Sequence, residues 1–352
     1  LHLKSKHDRR VRSGHPWVFS NEIAEDLRGM EPGSTVDVAD MKGAFIGRGY
    51  VNPHSLIAVR LLSRRKVDVD DPAFWKNAVR SAVSHRQRLF PERRSLRLIH
   101  AEGDGLPGLV VDRYEDVLSV QLTTAGTEAR KGLIADALKE VVGPAGAVLR
   151  SEGRARKLEG LDEERCVWFG EVPEAFRFDE LGVSFQLRPL EGQKTGHFLD
   201  QAVNRANAGS LCKGLEVLDM YSHSGGWALQ ALRQGASRAV IVDKSEPACD
   251  LALANADHNG FGDKVDVIQG EGRAFLMDSV GQSHQYGAVV LDPPAFAKTR
   301  KAAGSALRGY QEINTLGLRL IAQGGYLFTS SCSFHVEEGR FAEVIAKAAQ
   351  TA

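Results

Sequence analysis

Leu215-Glu-Val-Leu-Asp219-Met-Tyr221-Ser-His-Ser-Gly225-Gly226-Trp227 is a short apolar run ending in an acid, followed by a polar turn and paired glycines before helix-type sequence begins. Four more runs of this kind follow at Ala239 to Asp243, Val265 to Gln269, Ala288 to Asp292 and Tyr326 to Ser330, each trailed by an amphipathic stretch of helix length. Strands covered on both faces read as continuous apolar runs, so five such repeats predict a doubly wound parallel sheet. In such a sheet ligands bind beyond the carboxyl ends of the strands. The residues just after each run are therefore the ones to inspect.

After the first run, the paired glycines allow close backbone approach at the start of a helix. After the second stands Asp243, whose carboxylate is placed to accept both hydroxyls of a ribose. Both features fit an adenosine-bearing cofactor, although dinucleotide enzymes share the acid and glycine turns also serve plain packing. The full G-x-G-x-x-G pyrophosphate pattern is absent, which disfavours a dehydrogenase. The fourth run ends in Asp292-Pro-Pro-Ala-Phe-Ala-Lys298, where two prolines fix the backbone and hold the acid at the strand mouth. The fifth ends in Ser330-Ser-Cys332-Ser. A cysteine there reads either as a small buried residue or as a nucleophile facing the same crevice.

Further out, the texture changes. Residues up to about Val69 hold short apolar runs, Ser34 to Val38, Ala44 to Tyr50 and Leu56 to Leu62, broken by Gly, Pro and Asn, which predicts a small β-rich domain. Pro72 to Leu89 has helical spacing and Gly108 to Leu122 reads as a hairpin around Glu115-Asp116. Thr127 is placed to cap a helix running to Val142. Strands at Ala147 to Arg150, Phe176 to Asp179 and Val183 to Leu187 complete a middle α+β unit. The predicted domains are 1–70, 71–188 and 189–352.

The chain of 352 residues carries a formal net charge of zero, with basic residues clustered at Lys4 to Arg12, at Arg60 to Lys66 and at Arg86 to Arg97. Such clusters either track a phosphate backbone or are solvated faces; together they lean towards nucleic acid. No run of about 18 apolar residues and no signal peptide is present, which predicts a cytoplasmic protein with no membrane partner. The four cysteines, Cys166, Cys212, Cys249 and Cys332, show no zinc-chelating pair, and no metal is expected.

Gly192-Gln-Lys194-Thr-Gly-His-Phe198-Leu-Asp200-Gln201, with the Asp219 turn, Asp292-Pro-Pro-Ala-Phe and Ser331-Cys332-Ser333, resembles the bacterial class I methyltransferases that make 5-methylcytosine in large-subunit ribosomal RNA. Gly14-His-Pro-Trp-Val-Phe19 is similar to the start of that family's PUA RNA-binding domain. The resemblance spans almost the whole chain. It implies a PUA-like domain, a middle α+β domain and a Rossmann-like methyltransferase sheet, with S-adenosylmethionine as cofactor, ribosomal RNA processing as the role and a homodimer as the assembly. By position it implies that Asp219, Tyr221, Gly225 and Asp243 cradle the cofactor, that Lys194, Phe198 and Asp200 close over it, and that Asp292 faces both methyl donor and base. Two departures stand out: Ala202 where an arginine is expected, and Arg273 where an acid commonly meets the adenine amine, which leaves Glu271 as the candidate for that contact. The family's sheet continues past the fifth strand, so this sequence, beginning at Leu1 and ending at Ala352, predicts a partial chain lacking the last strands.

The implied chemistry explains a thiol. Carbon 5 of cytosine is a poor nucleophile, but attack of a thiolate on carbon 6 makes an enamine that takes a methyl from a sulfonium. Cys332 and Asp292 are then the catalytic pair. Two other readings stay open: a nucleic-acid base N-methyltransferase in which Asp292-Pro-Pro-Ala-Phe clamps the base and Cys332 is structural, and a non-catalytic RNA-binding protein that keeps the fold.

Overall fold

The computed structural model describes residues 1–191, 196–297 and 299–352, which fall into two compact units: 1–178 with 187–199, and 179–186 with 200–352.

In the first unit, after helix α1 (Asp8–Arg12), strands β1 (Trp17–Val18), β2 (Thr35–Ala39), β3 (Phe45–Val51) and β4 (Val59–Ser63) form an antiparallel sheet of order β1-β4-β3-β2. Its core includes Leu3, Val18, Val38, Val51 and Val59. A second sheet of order β5-β6-β7-β8-β9 comprises β5 (Leu96–His100), β6 (Leu109–Tyr114), β7 (Val117–Leu122), β8 (Gly146–Ser151) and β9 (Glu164–Gly170). Helices α2 (Pro72–Leu89), α3 (Ala125–Ala129), α4 (Lys131–Val142) and α5 (Arg154–Leu158) accompany it. Trp75, Val79, Ile134 and Leu138 bury the inner faces of α2 and α4.

The hairpin at Glu115-Asp116 and the helix from Pro72 stand where the sequence puts them. The cap does not. Thr124, not Thr127, is the N-cap: its hydroxyl accepts the Thr127 N–H, and the Thr127 hydroxyl is bonded back inside a capping box. The helical run also breaks at Arg130 into α3 and α4, because the Arg130 guanidinium turns inward to the Gly33 and Gly126 carbonyls, at 2.8 and 3.0 Å.

Glu159 joins the two sheets of this unit. Its buried carboxylate accepts from Arg60, at 2.7 Å, and from the Asn52 amide, at 2.8 Å, both in or beside the first sheet.

The second unit is built on β12 (Glu216–Met220), β13 (Arg238–Asp243), β14 (Val265–Gln269), β15 (Tyr286–Leu291) and β16 (Ile321–Thr329), all parallel, in the order β14-β13-β12-β15-β16. The intervening helices are α6 (Ala202–Ser210), α7 (Gly226–Arg233), α8 (Glu246–His258), α9 (Gly272–Gly281) and α10 (Ala303–Arg319), and α11 (Glu338–Thr351) follows the last strand. Buried Leu218, Met220, Val240, Val242, Val289 and Leu291 line one face of the central strands, and buried Val217, Ile241, Ala288 and Val290 line the other, so these strands are apolar on both faces. At about 1.5–3 kcal/mol per fully buried side chain, that burial fixes the sheet. The strand order reverses between β12 and β15, and in such sheets ligands bind at that reversal, beyond the carboxyl ends of the strands. A hairpin of β10 (Phe176–Glu180) and β11 (Val183–Leu187) straddles the division between the units.

Truncating Glu159 to alanine strands the Arg60 charge in a site that is nearly closed to water. Loss of one partner of a buried pair costs about 3–5 kcal/mol. Glu159→Ala is therefore expected to lower the first calorimetric transition of the full chain by several degrees, whereas an unchanged transition would show that Arg60 finds other partners.

Candidate active site at the strand ends

The turn after β12 is set by Asp219. Its carboxylate is fully buried and its Oδ2 accepts the Ala228 backbone N–H, at 2.9 Å, in the first turn of α7. That bond satisfies one of the orphan donors of a helix start. The chain between Asp219 and α7 is tightly wound: Tyr221, His223 and Gly225 have φ of +61°, +51° and +78°. Two non-glycine residues in the left-handed region cost on the order of 1–2 kcal/mol each, and such residues persist only where their surroundings hold them. Asp243, at the end of β13, supplies that hold. Its Oδ2 accepts the His223 N–H and its Oδ1 the Ser245 N–H, both at 2.9 Å. The Asn255 amide adds a bond to the Ser224 carbonyl.

Burial pushes the Asp219 carboxyl up to about 7, and the nearby charges of Asp292 and Asp243 act in the same direction. The Ala228 N–H and the Arg205 guanidinium oppose them. Asp219 Oδ1 has no hydrogen-bond partner among the described residues, leaving one buried acceptor unpaired at the mouth of the sheet.

Tyr221 lies against α9. A Cβ on Gly272 would stand 2.5 Å from its ring, so only glycine admits the tyrosine there. Burial raises the Tyr221 phenol to about 12. Glu271, just before Gly272, caps α9 by accepting the Ala274 N–H at 2.8 Å, and Arg273 turns to Glu312 of α10 at 2.6 Å.

On the other side of the reversal, Asp292 follows β15 and is half-buried. Its Oδ2 accepts the Trp227 indole N–H at 3.1 Å, and its Oδ1 accepts the Ser330 hydroxyl. The loop after β16 is pinned at Ser331, whose hydroxyl donates to the Tyr310 phenol at 3.0 Å. It is pinned again at Ser333, which accepts the Ala297 N–H at 3.1 Å and pairs with the same phenol at 2.9 Å. Between these anchors Cys332 is exposed, with its Sγ 3.8 Å from the Pro293 carbonyl. Of the other three thiols, burial raises Cys212 to about 11 and also lifts Cys166 and Cys249. A raised thiol holds less of the nucleophilic thiolate.

The structure thus gathers Asp219, Tyr221, Gly225, Asp243 and Glu271 around one side of the reversal and Asp292 with Cys332 on the other. Phe198 belongs to the first unit, and Asp200 lies exposed in the turn Leu199–Gln201 before α6. Lys194 lies outside the described residues, as does Lys298. Where an arginine was expected, Ala202 is buried in α6, and Arg205 one turn on forms a buried pair with Glu180 at 2.6 Å. Sequence reasoning quoted Trp227, Ser330 and Ser333 within its motifs but gave them no role, and it missed Tyr310 and Gly272. The Gly270-Glu-Gly272 spacing after β14 was the signal that could have found Gly272, as a backbone position open to close approach.

Many of the basic residues in the three clusters are paired with carboxylates. Arg10 pairs with Glu22, Arg12 with Asp40, Arg60 with Glu159, Arg86 with Asp104, Arg94 with Asp116 and Arg97 with Asp112. Lys6, Arg9, Arg65 and Lys66 remain exposed.

No group of three or more His, Cys, Asp or Glu able to hold a metal is found among the described residues, and none of their helices is long and apolar enough to cross a membrane.

Because burial, with the charges of Asp292 and Asp243, lifts Asp219, its pH signature has a definite sign. Between about pH 4 and pH 7 the folded chain keeps a proton that the unfolded chain has released, so this group's contribution to stability falls as pH rises, by about 1.4 kcal/mol per unit. Asp219→Asn, which mimics the protonated acid, is expected to remove that slope. Denaturant titrations of both proteins from pH 4.5 to 7 read it as a stability difference that grows with pH in favour of the variant; a constant difference would mean that Asp219 is ionised throughout.

Comparison with known proteins gives a consistent result. A family model described as a PUA-like domain matches residues 1–64, and one described as Conserved hypothetical protein 95 matches residues 187–321. The chain is 36% identical over 350 residues to ribosomal RNA large subunit methyltransferase I of Alteromonas mediterranea, covering 99% of this chain and 88% of that protein. It is 35% identical over 356 residues to the protein of the same name from Vibrio cholerae, covering 99% and 89%. Among solved structures, a candidate methyltransferase complexed with SAH superposes with a TM-score of 0.85 at 20% identity, covering 99% of this chain and 90% of that one. A candidate SAM-dependent methyltransferase from Streptococcus mutans gives 0.82 at 19%, covering 99% and 89%. At these identities the solved structures bear on the fold, a PUA-like start and a Rossmann-like sheet.

Proposed function

The chain belongs to the ribosomal RNA large subunit methyltransferase I family, and from that premise we propose that it transfers a methyl group from S-adenosylmethionine to carbon 5 of a cytosine in large-subunit ribosomal RNA through a covalent adduct on Cys332. The single observation that carries the adduct is the exposed Cys332 thiol, fixed beside the Asp292-Pro293 carbonyl at the carboxyl end of the sheet.

The residues present fit the methyl donor. A buried acid with an unpaired oxygen suits a cationic ligand, and the left-handed turn lets backbone approach it closely. Asp219, Tyr221, Gly225, Asp243 and Glu271 would hold S-adenosylmethionine, which supplies an electrophilic methyl on a sulfonium. The Cys332 thiolate adds to carbon 6 and makes carbon 5 an enamine carbon. Asp292 faces the base and stabilises the ring protonated at nitrogen 3. After carbon 5 has taken the methyl, its proton leaves to a base, the C6–S bond breaks, and the thiolate is restored. In this reading residues 1–70 contact RNA, 71–188 form a middle domain, and 189–352 carry catalysis. In the same reading the assembly is a cytoplasmic homodimer, which analytical ultracentrifugation of the full chain would test.

Asp243→Ala removes a charged acceptor from a ribose. Hydrogen bonds to charged groups contribute on the order of 1.5–3 kcal/mol, so S-adenosylmethionine affinity is expected to fall roughly tenfold or more by calorimetry. Unchanged affinity would take Asp243 out of the site.

Cys332→Ala is expected to retain cofactor affinity and to abolish methyl transfer to ribosomal RNA, since carbon 5 is activated only through the adduct. RNA containing 5-fluorocytosine should be trapped covalently by the parent protein and not by the variant, because fluorine is not lost as a proton is. Full methylation by Cys332→Ala would move the enzyme to the nitrogen-methylating class.

A further inference from the structure

Phe334 is 93% exposed, the highest value of any large hydrophobic side chain among the described residues. Scattered exposed hydrophobics are ordinary, so exposure alone decides nothing. What sets Phe334 apart is how it is held. It occupies the apex of a turn closed by the Val336 N–H on the Ser333 carbonyl, at 2.9 Å, two positions after Cys332. The Ser333 hydroxyl is locked to Ala297 N and to the buried Tyr310 phenol. The loop is therefore anchored from beneath while its aromatic ring points away from the core, with only an edge-on contact to His335 at 5.3 Å.

The other aromatic at this mouth is already engaged. Phe296, in the Asp292-Pro-Pro-Ala-Phe segment, stacks on Tyr310 with ring centres 4.6 Å apart. Cations also stand on the neighbouring segments. Arg300 and Lys301, in the turn that follows the Asp292 loop, and Arg308 in α10 are exposed and form no ion pair among the described residues. The Ala297 N–H to Ser333 hydroxyl bond ties the Asp292 and Cys332 loops together, so the turn that carries Phe334 is joined to the segment that leads into Arg300 and Lys301.

We propose that Phe334 is a base-stacking residue: its exposed face receives a nucleobase of the RNA strand next to the cytosine presented to Cys332, while Arg300, Lys301 and Arg308 contact the phosphates of that strand. Unpaired bases of single-stranded RNA stack on aromatic side chains, and bases drawn out of a helix need such a platform. The proposal rests on the RNA methyltransferase reading, and names the side chains that hold RNA on the catalytic unit itself.

The test uses the full chain and a large-subunit ribosomal RNA transcript, with binding measured by filter retention over a range of salt. Phe334→Ala is expected to weaken binding roughly 5- to 150-fold at fixed salt, with the salt slope and S-adenosylmethionine affinity unchanged, and Phe334→Trp to restore it. Arg300→Gln combined with Arg308→Gln is expected to weaken binding and flatten the salt slope. Equal binding by Phe334→Ala and the parent protein overturns the proposal, as does failure of the parent to bind the transcript. A change of sedimentation coefficient in Phe334→Ala also overturns it, because the ring would then serve contact between copies of the chain. If the parent binds but does not methylate the transcript, the functional reading fails, and stacking is still decided by the binding series.

Discussion

Everything at the catalytic end of the sheet depends on the bond from Asp219 to the Ala228 N–H. It turns the chain from β12 into α7 within a few residues, and the turn works only if Tyr221 and His223 adopt left-handed backbone. Asp243 holds that conformation by taking the His223 N–H, so the acid after the second strand braces the loop after the first. Gly272 completes the arrangement by leaving room for the Tyr221 ring. The cost of burying Asp219 is visible in its raised pKa, and the unpaired oxygen marks where a ligand with positive charge would relieve that cost.

In the first unit, arginines that look like nucleic-acid contacts in sequence are turned inward onto carboxylates, and Glu159 uses one of them to fasten two sheets together. Such pairs fix geometry. Exposed cations remain in both units, Lys6, Arg9, Arg65 and Lys66 in the first and Arg300, Lys301 and Arg308 in the second. Which basic residues are paired is not legible in the sequence, because pairing depends on residues far apart in the chain, such as Arg60 and Glu159.

The parallel sheet was legible because each strand is an apolar run bounded by helix-length sequence, and Val265 to Gln269 is a strand with those bounds. Asp219, Asp243, Asp292 and Cys332 were legible for the same reason, being the polar residues at the ends of those runs. The edge strand β16 was legible only in its second half. No residue of β16 is fully buried, and its first half, with Gly324 and Gly325, carries no apolar run, so the sequence reading began it only at Tyr326. The Thr127 cap failed because Thr124 and Thr127 both satisfy the local rule, and only tertiary position selects Thr124. Tyr310 was invisible because it lies inside α10, where a tyrosine reads as core, and its phenol acts on a loop that sequence does not place beside it.

The hydroxyls around Cys332 show why the motif is serine-rich. A nucleophile must stay exposed and yet be held to within a fraction of an ångström of its target, and a loop at the surface does not achieve this by burying apolar side chains. Ser330 binds Asp292, while Ser331 and Ser333 both bind the Tyr310 phenol. Each anchor lies on one side of Cys332 in sequence, so the thiol sits at the centre of a fixed arch. Because Ser330 is tied to the Asp292 carboxylate itself, the thiol and the acid share one framework. A movement of Asp292 therefore carries the loop of Cys332 with it, and the spacing between the acid and the thiol is kept.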